Sequence, residues 1–405
     1  MADTGPRPES AYRVLIAGGG VAALEAMLAL RDLAEERVEL ELLAPEPRFW
    51  YRPLAVAEPF GLGRAHHFEL GTLAEKAGAR FTLGALAEVD VEAKVARADA
   101  GLELEYDALL LALGARPTVA VPGAVTFRGP ADTERIQDVL EALEAGTLQR
   151  LVFAVPGGLS WPLPAYELAL LTAAFLDARG IEGVEISIVT PENAPLALFG
   201  PEAGAALHEI IAECRIAVRT ESYPGSFETG VLRLVPEGEV QADVVVALPK
   251  LVGPAVVGIP QDGSGFVPTD EKGRVPGAED VYAAGDATTF PIKQGGLATQ
   301  QADAAATTIA AAAGAPVEPS PFRAILRGLL LTGAVPHFLR ADLSKWREGG
   351  LRMDTDPLWW PPAKISGRYL GPFLAEHAGF ADLSGPPENA IPVEVDLAAR
   401  IPSRA

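Results

Sequence analysis

The chain has 405 residues, 49% of them hydrophobic, enough for two or three cored domains and too apolar for a disordered chain. Its formal charge of −21 repels nucleic-acid phosphates, which argues against a DNA or RNA partner. One cysteine, Cys214, excludes any mechanism that needs a cysteine pair within the chain and suits a reducing, cytoplasmic setting.

Met1 to Ser10 is polar and has no signal-peptide core, and no run of about 18 apolar residues suggests a spanning helix. Tyr12 to Ala17 then reads as a buried strand that ends in Gly18-Gly19-Gly20. Val21 to Leu33 has helical spacing, and Val38 to Leu43 reads as a second strand, so the first 45 or so residues form a βαβ unit that opens a parallel sheet. Gly18 permits the tight turn, Gly20 lets a pyrophosphate approach the backbone, and the small Ala23 lets helix and strand pack closely. This pattern, directly after a strand and opening a helix, predicts a dinucleotide site. Ala44 stands where an acid for the ribose is wanted; Glu46 either serves the ribose from two residues on or is a surface loop acid.

Further strands are expected at Tyr106 to Leu113, ending at Gly114, and at Leu151 to Val155, Val184 to Val189, Val244 to Leu248 and Val281 to Ala284. A helix over about Pro164 to Ala178 completes a second βαβ unit. Its turn, PGGLSWP, puts Trp161 and Pro162 where a pyrophosphate needs bare backbone, and Thr190 ends its second strand, so ordinary nucleotide binding is not expected there. Gly285-Asp286 follows the last of these strands, and a buried helix starts near Leu297. Arg323 to Leu331 and Val335 to Leu339 form a hairpin around Thr332-Gly333. The adjacent His66 and His67 point in different directions in any regular element, no cluster has ligand spacing, and no metal is expected. Ser160 lacks the GxSxG elbow of a nucleophile.

GGGVAA after the first strand, YDALLLALGARP, the second βαβ unit and VYAAGDATTFPIKQGGLATQQAD together resemble the pyridine nucleotide-disulfide oxidoreductase superfamily. Within it the chain looks most like the branch of sulfide:quinone oxidoreductases and type II NADH dehydrogenases. The resemblance implies an α/β fold with two Rossmann-like domains, FAD-type and NAD(P)-type, and a smaller C-terminal α/β region. The expected boundaries are 11–125 and 265–315 for the FAD domain, 126–264 for the inserted domain and 316–405 for an interface domain.

By the same resemblance FAD is the cofactor. Gly18, Gly20 and Ala23 take its pyrophosphate, Gly285 and Asp286 meet the ribityl or phosphate side, and Gly114, Arg52 and Pro53 lie near it. The helix opening at Gly296 and Leu297 aims its positive end at the flavin N1–C2=O edge. Lys293 either stabilises negative charge on the flavin or a quinone oxygen, or is a solvated loop lysine. Glu167 either passes protons near the flavin or caps its own helix.

The chain departs from these relatives in lacking redox cysteines beside the flavin and a second GxGxxG turn. Cys214, in IIAECRIAV, reads as a small buried apolar residue. Charge is also uneven: Ser320 to Ala405 carries 10 basic and 9 acidic residues, which leaves −22 on the preceding 319. That last stretch holds Trp346, Trp359 and Trp360, three of the five tryptophans. It reads as a peripheral membrane contact on the inner face, or as a homodimer interface or flavin cover. Three functions follow: an FAD-dependent oxidoreductase passing two electrons from an unnamed donor to an acceptor such as a quinone, an NAD(P)H-dependent flavin reductase, or a non-catalytic FAD-binding partner protein.

Overall fold

The computed structural model describes residues 11–158, 161–334, 336–343, 364–365 and 367–377. Ser160 and the tryptophans at 346, 359 and 360 lie outside them.

The first sheet is built from strands too apolar to face water on either side. Leu109, Leu110 and Leu111 are all fully buried, each worth about 2 kcal/mol of removed apolar surface. Its five strands are all parallel and run Val281–Ala283, Ala108–Leu111, Tyr12–Ala17, Val38–Ala44 and Arg80–Leu83. The chain visits them in the order 3-2-1-4-5 from the Arg80–Leu83 edge, so the order reverses beside Tyr12–Ala17 and opens a crevice at the strand ends. The edge strand Arg80–Leu83 carried no sequence signal strong enough to mark it.

One face of this sheet is covered by two helices of unusual composition, Val21–Ala34 and Gly295–Ala312. Their contact faces are alanine: Ala22, Ala23, Ala26 and Ala29 on one, Ala298, Ala302, Ala305 and Ala306 on the other, all buried. Small side chains let the two backbones approach, and Gly285 fits between them. A Cβ on Gly285 would lie 3.1 Å from Ala22 and 3.3 Å from Ala298, and its φ of +75° also favours glycine.

The second sheet, again all parallel, runs Val125–Thr126, Val244–Ala247, Arg150–Ala154, Glu185–Val189 and Ala217–Arg219. Helix Leu163–Arg179 follows its central strand. The short antiparallel pair Arg116–Thr118 and Lys250–Val252 links the two sheets' domains. The hairpin Ile325–Leu330 with His337–Asp342 packs into the core of the second sheet and is hydrogen-bonded to Gln294 and Gln300 at helix Gly295–Ala312.

A final helix, Leu370–His377, docks on Val21–Ala34. Its anchor is Glu25, fully buried, whose carboxylate accepts the N–H groups of Tyr369 at 2.9 Å and Leu370 at 2.7 Å. Glycine is needed at 367, since a Cβ there would sit 2.3 Å from Glu25 Oε2. Burial pushes the Glu25 carboxyl up, against the pull of those N–H groups, and burial beside Glu25 raises Asp303 to about 8.

Cys214 differs from expectation. It is half-buried at the end of helix Pro201–Glu213, and its thiol is pushed up by burial and by Glu213. Among the described residues no helix is long and apolar enough to cross a membrane, and no group of three acids, histidines or cysteines is placed to hold a metal. His67 instead lies in a strand pair opposite Trp50, with the rings 4.9 Å apart.

Candidate functional site

Two helix ends converge at the crevice of the first sheet. Gly18 has φ +131°, and a Cβ on it would lie 2.1 Å from the Ala112 carbonyl oxygen, so no other residue fits this turn. Gly20, which precedes helix Val21–Ala34, has no side-chain cap, and the space where its Cβ would stand is empty to 4 Å. The first-turn N–H groups therefore face an open, uncapped cradle of the shape and sign a phosphate takes. Ala23 is fully buried against the sheet. Gly114, at φ +68°, turns the chain after Ala108–Leu111 with open space above it.

The second helix end differs from the expectation in detail. The helix begins at Gly295, and the Leu297 N–H is not free for a ligand because it donates to Gln294 Oε1 at 2.8 Å. The N–H groups of Gly295 and Gly296 have no partner within the helix, and Ile365 packs over Gly295 while the Gln294 amide lies against Gly296.

At the second of these ends, and reaching across to the second domain, lies a cleft of about 280 Å³ whose lining includes Gly295 but none of Gly18, Gly20, Ala23 and Gly114. It gathers Arg52, Pro53, Glu167, Asp286 and Lys293, five residues picked from the sequence, although Glu167 belongs to the other domain. Glu46, by contrast, is exposed in the turn past Ala44 and does not line it.

Asp286 faces the cleft, and among the described residues no group donates a hydrogen bond to its carboxylate. Burial pushes this carboxyl up, while Lys293 and Arg52 pull it back. Lys293 donates to the Thr288 carbonyl and lies 4.0 Å from the centre of the Phe266 ring. Burial lowers its ammonium to about 8, against the pull of Asp286 and Asp262. It is thus neither a solvated lysine nor a fixed charge.

Glu167 does not cap its helix. It is 1% exposed, and its Oε1 accepts from Lys364 Nζ at 2.6 Å and from the Leu331 N–H at 3.0 Å. Burial pushes the carboxyl up, and Lys364 pulls it down. Lys364 lies 197 positions away in a segment with no recognisable motif, which is why sequence reasoning did not pair the two. Arg128, Arg327 and Trp161 also line the cleft. A weak signal for Arg327 exists, as the one charge in the strand ILRGLL.

The second domain's turn is closed to phosphate for three reasons. Pro162 and Pro164 have no N–H to offer, and Ala165 donates to the Pro162 carbonyl. Trp161 is held edge-on against Phe199, with ring centres 5.9 Å apart. Past the second strand, Glu192 sits near the place of a ribose-binding acid, but its Oε2 takes the hydroxyls of Tyr166 at 2.7 Å and Thr190 at 2.9 Å. Its other oxygen is shut from solvent.

Comparison with known proteins agrees with this geometry. A sulfide-quinone reductase of Aquifex aeolicus (strain VF5) is 26% identical over 189 residues, which is 45% of this chain and 44% of that protein, under half its length. The crystal structure of the sulfide:quinone oxidoreductase from Aquifex aeolicus superposes with a TM-score of 0.74 at 22% identity, covering 82% of this chain and 84% of the other. A ferredoxin reductase of Rhodopseudomonas palustris gives 0.63 at 18%, covering 80% and 81%. NDH2 of Plasmodium falciparum, solved with NADH, gives 0.57 at 19%, covering 68% and 64%. Residues 12–308 match the pattern of the pyridine nucleotide-disulphide oxidoreductases, and the chain, with its two Rossmann-like sheets, belongs to that family of flavoprotein oxidoreductases.

Proposed function

We propose that the chain is an FAD-dependent oxidoreductase that works without a redox disulfide and without a nicotinamide donor, and that a quinone is its acceptor. The observation that carries the reading is the contrast between its two Gly-turn helix ends: the space before the first turn at Gly20 is open, whereas at the other Pro162 and Pro164 have no N–H to offer and the Ala165 N–H is taken by the Pro162 carbonyl. The residues present fit FAD. The cradle at Gly18 to Ala23 suits its pyrophosphate, the unengaged Asp286 carboxylate suits a ribityl hydroxyl, and Gly295 and Gly296 offer N–H groups to the ring edge.

When bound, a flavin supplies two-electron chemistry at its N5. The protein's own groups set the conditions for it. Lys293, with Gly295 and Gly296, places positive potential where negative charge collects on reduction. Glu167 and Lys364 form a buried carboxylate–ammonium pair at the cleft wall, able to hold one proton between them close to an acceptor oxygen. Arg52 and Pro53 close the near side. Cys214 does not line the cleft, so a persulfide or mixed disulfide has no place in this scheme.

Anaerobic mixing of the purified yellow protein with NADH and NADPH tests the donor. The flavin band is expected to persist with both, and the photoreduced protein is expected to reoxidise with a short-chain quinone faster than with buffer. Bleaching by either nucleotide within seconds would overturn the donor reading. Failure of every quinone to reoxidise the flavin would overturn the acceptor.

A further inference from the structure

The acid that holds the last described helix has a second acid beside it. Glu25 is fully buried on helix Val21–Ala34, and each of its oxygens takes one main-chain N–H, Oε1 from Tyr369 at 2.9 Å and Oε2 from Leu370 at 2.7 Å. Two such donors suit a carboxylate rather than a carboxylic acid. Asp303 lies beside Glu25 on the facing helix Gly295–Ala312, next to the buried Ala302. Its Oδ1 is shut from solvent, and no donor reaches it. As a carboxylate, Asp303 would set a second negative charge against Glu25 and leave that dry oxygen unmet. As a carboxylic acid it becomes a donor, and Glu25 is the acceptor beside it. One proton therefore satisfies both groups.

Burial and Glu25 together raise the Asp303 carboxyl to about 8. Arg368, which is exposed, opposes them and pulls both carboxyls down. Tyr369, on the same stretch, has its hydroxyl on Asp32 at 3.2 Å, and Glu376 of the last helix is exposed. The chain closes over the pair at Gly367, where a Cβ would sit 2.3 Å from Glu25 Oε2. Lifting this segment removes the two N–H donors and admits water to both acids. Water solvates two carboxylates far better than a dry helix contact does, so the lifted form gives up the shared proton at an ordinary acidic pH.

We propose that segment 367–377 is a pH-sensitive latch, docked on the first helix while Asp303 and Glu25 share one proton and released when that proton passes to solvent. The same stretch of chain carries Lys364 and Ile365 onto the cleft, so release loosens that wall as well. Neither acid lines the cleft, and the latch stands apart from the flavin reading. The docked form keeps its proton up to about pH 8, whereas carboxyls in water lose theirs near about pH 4. Between these limits release gains up to about tenfold per pH unit, and above the upper one it levels off.

The test is tryptic cleavage after Arg368 in the purified full chain, identified by mass and divided at each pH by cleavage of an unstructured peptide of the same local sequence. From pH 6 to pH 8 the ratio is expected to rise at least about twentyfold, and from pH 8.5 to pH 9.5 by no more than about twofold. Asp303→Asn keeps a donor toward Glu25 but has no proton to lose. Its ratio is expected to stay within about twofold of the parent's pH 6 value throughout. Glu25→Gln gives Asp303 a donor in place of a second acid, and should shrink the rise at least about fivefold. The other anchor, Lys364 with Glu167, is intact in both variants, and circular dichroism checks that each is folded. A parent ratio that does not rise, or a rise that survives in Asp303→Asn, overturns the proposal. If Asp303→Asn does not fold, a rise in Glu25→Gln as large as the parent's, or a parent curve that keeps climbing above pH 8.5, overturns it instead.

Discussion

Replacing Lys364 by methionine removes the ammonium from a carboxylate that has almost no other support. Glu167 is 1% exposed and keeps one hydrogen bond, from the Leu331 N–H at 3.0 Å. Breaking a buried pair by deleting one partner costs about 3–5 kcal/mol. For a melting unit of 150–250 residues, about 3 kcal/mol corresponds to a fall of roughly 6–12 °C in Tm. The loss has a distinctive pH dependence. Burial already pushes the Glu167 carboxyl up, and Lys364 is the main opposing pull, so the variant's carboxyl holds its proton to higher pH. A group whose folded value lies above its unfolded one binds a proton that the unfolded chain has released. Stability then falls as pH rises, by up to about 1.4 kcal/mol per pH unit. The deficit against the unsubstituted protein should therefore widen from the latter's folded Glu167 value up to the variant's. Melting curves by circular dichroism between pH 5.5 and 8.5 measure it. Lys364→Met combined with Glu167→Gln should melt close to the unsubstituted protein at every pH. A deficit of equal size across that range, or a double variant as unstable as the single one, would refute the reasoning.

Four other substitutions separate cofactor binding, charge and docking. Gly18→Ala should fail to yield a folded FAD domain, because its Cβ meets the Ala112 carbonyl at 2.1 Å; Gly20→Ala should melt within about 0.5 kcal/mol of the parent without flavin but retain flavin at least tenfold less well, as read by gel filtration and absorbance. Since the Lys293 ammonium is lowered to about 8 by burial, its charge is lost as pH rises through that value. The midpoint potential of the bound flavin should show an added downward break near pH 8, and Lys293→Met should abolish the break. Gly367→Ala drives a methyl to 2.3 Å from Glu25 Oε2, so trypsin should cut at the exposed Arg368 many times faster than in the parent, with the remaining chain still folded.

The sequence was most readable where backbone geometry is local. Gly18, Gly20 and Gly285 announce themselves because a tight turn and a close helix approach admit only glycine, and the buried strands announce themselves as unbroken apolar runs. Gly18 and Gly20 form the turn before the first helix, and Asp286, Lys293 and Arg52, which the family resemblance singled out, line the cleft. Where the local pattern underdetermines the outcome, it failed. Leu297 has the sequence position of a free N–H donor, but Gln294, three residues earlier, folds back and takes that hydrogen. Glu167 could be a cap or a buried acid on local grounds, and its ion pair depends on a lysine from the far end of the chain. That Arg327 stands opposite Arg340 across the hairpin is invisible until register is known, since a slip of one residue would separate the two charges.

The C-terminal segment 364–377 is held at two places by two different domains. Lys364 is tied to Glu167 on the second domain's helix, and Tyr369 and Leu370 are tied to Glu25 on the first domain's helix. The segment therefore acts as a splint across the domain boundary. A rotation that opened the cleft by swinging the domains apart has to release one of these anchors. Domain opening and detachment of this segment are therefore coupled, so a ligand that holds either anchor in place also holds the cleft as it stands.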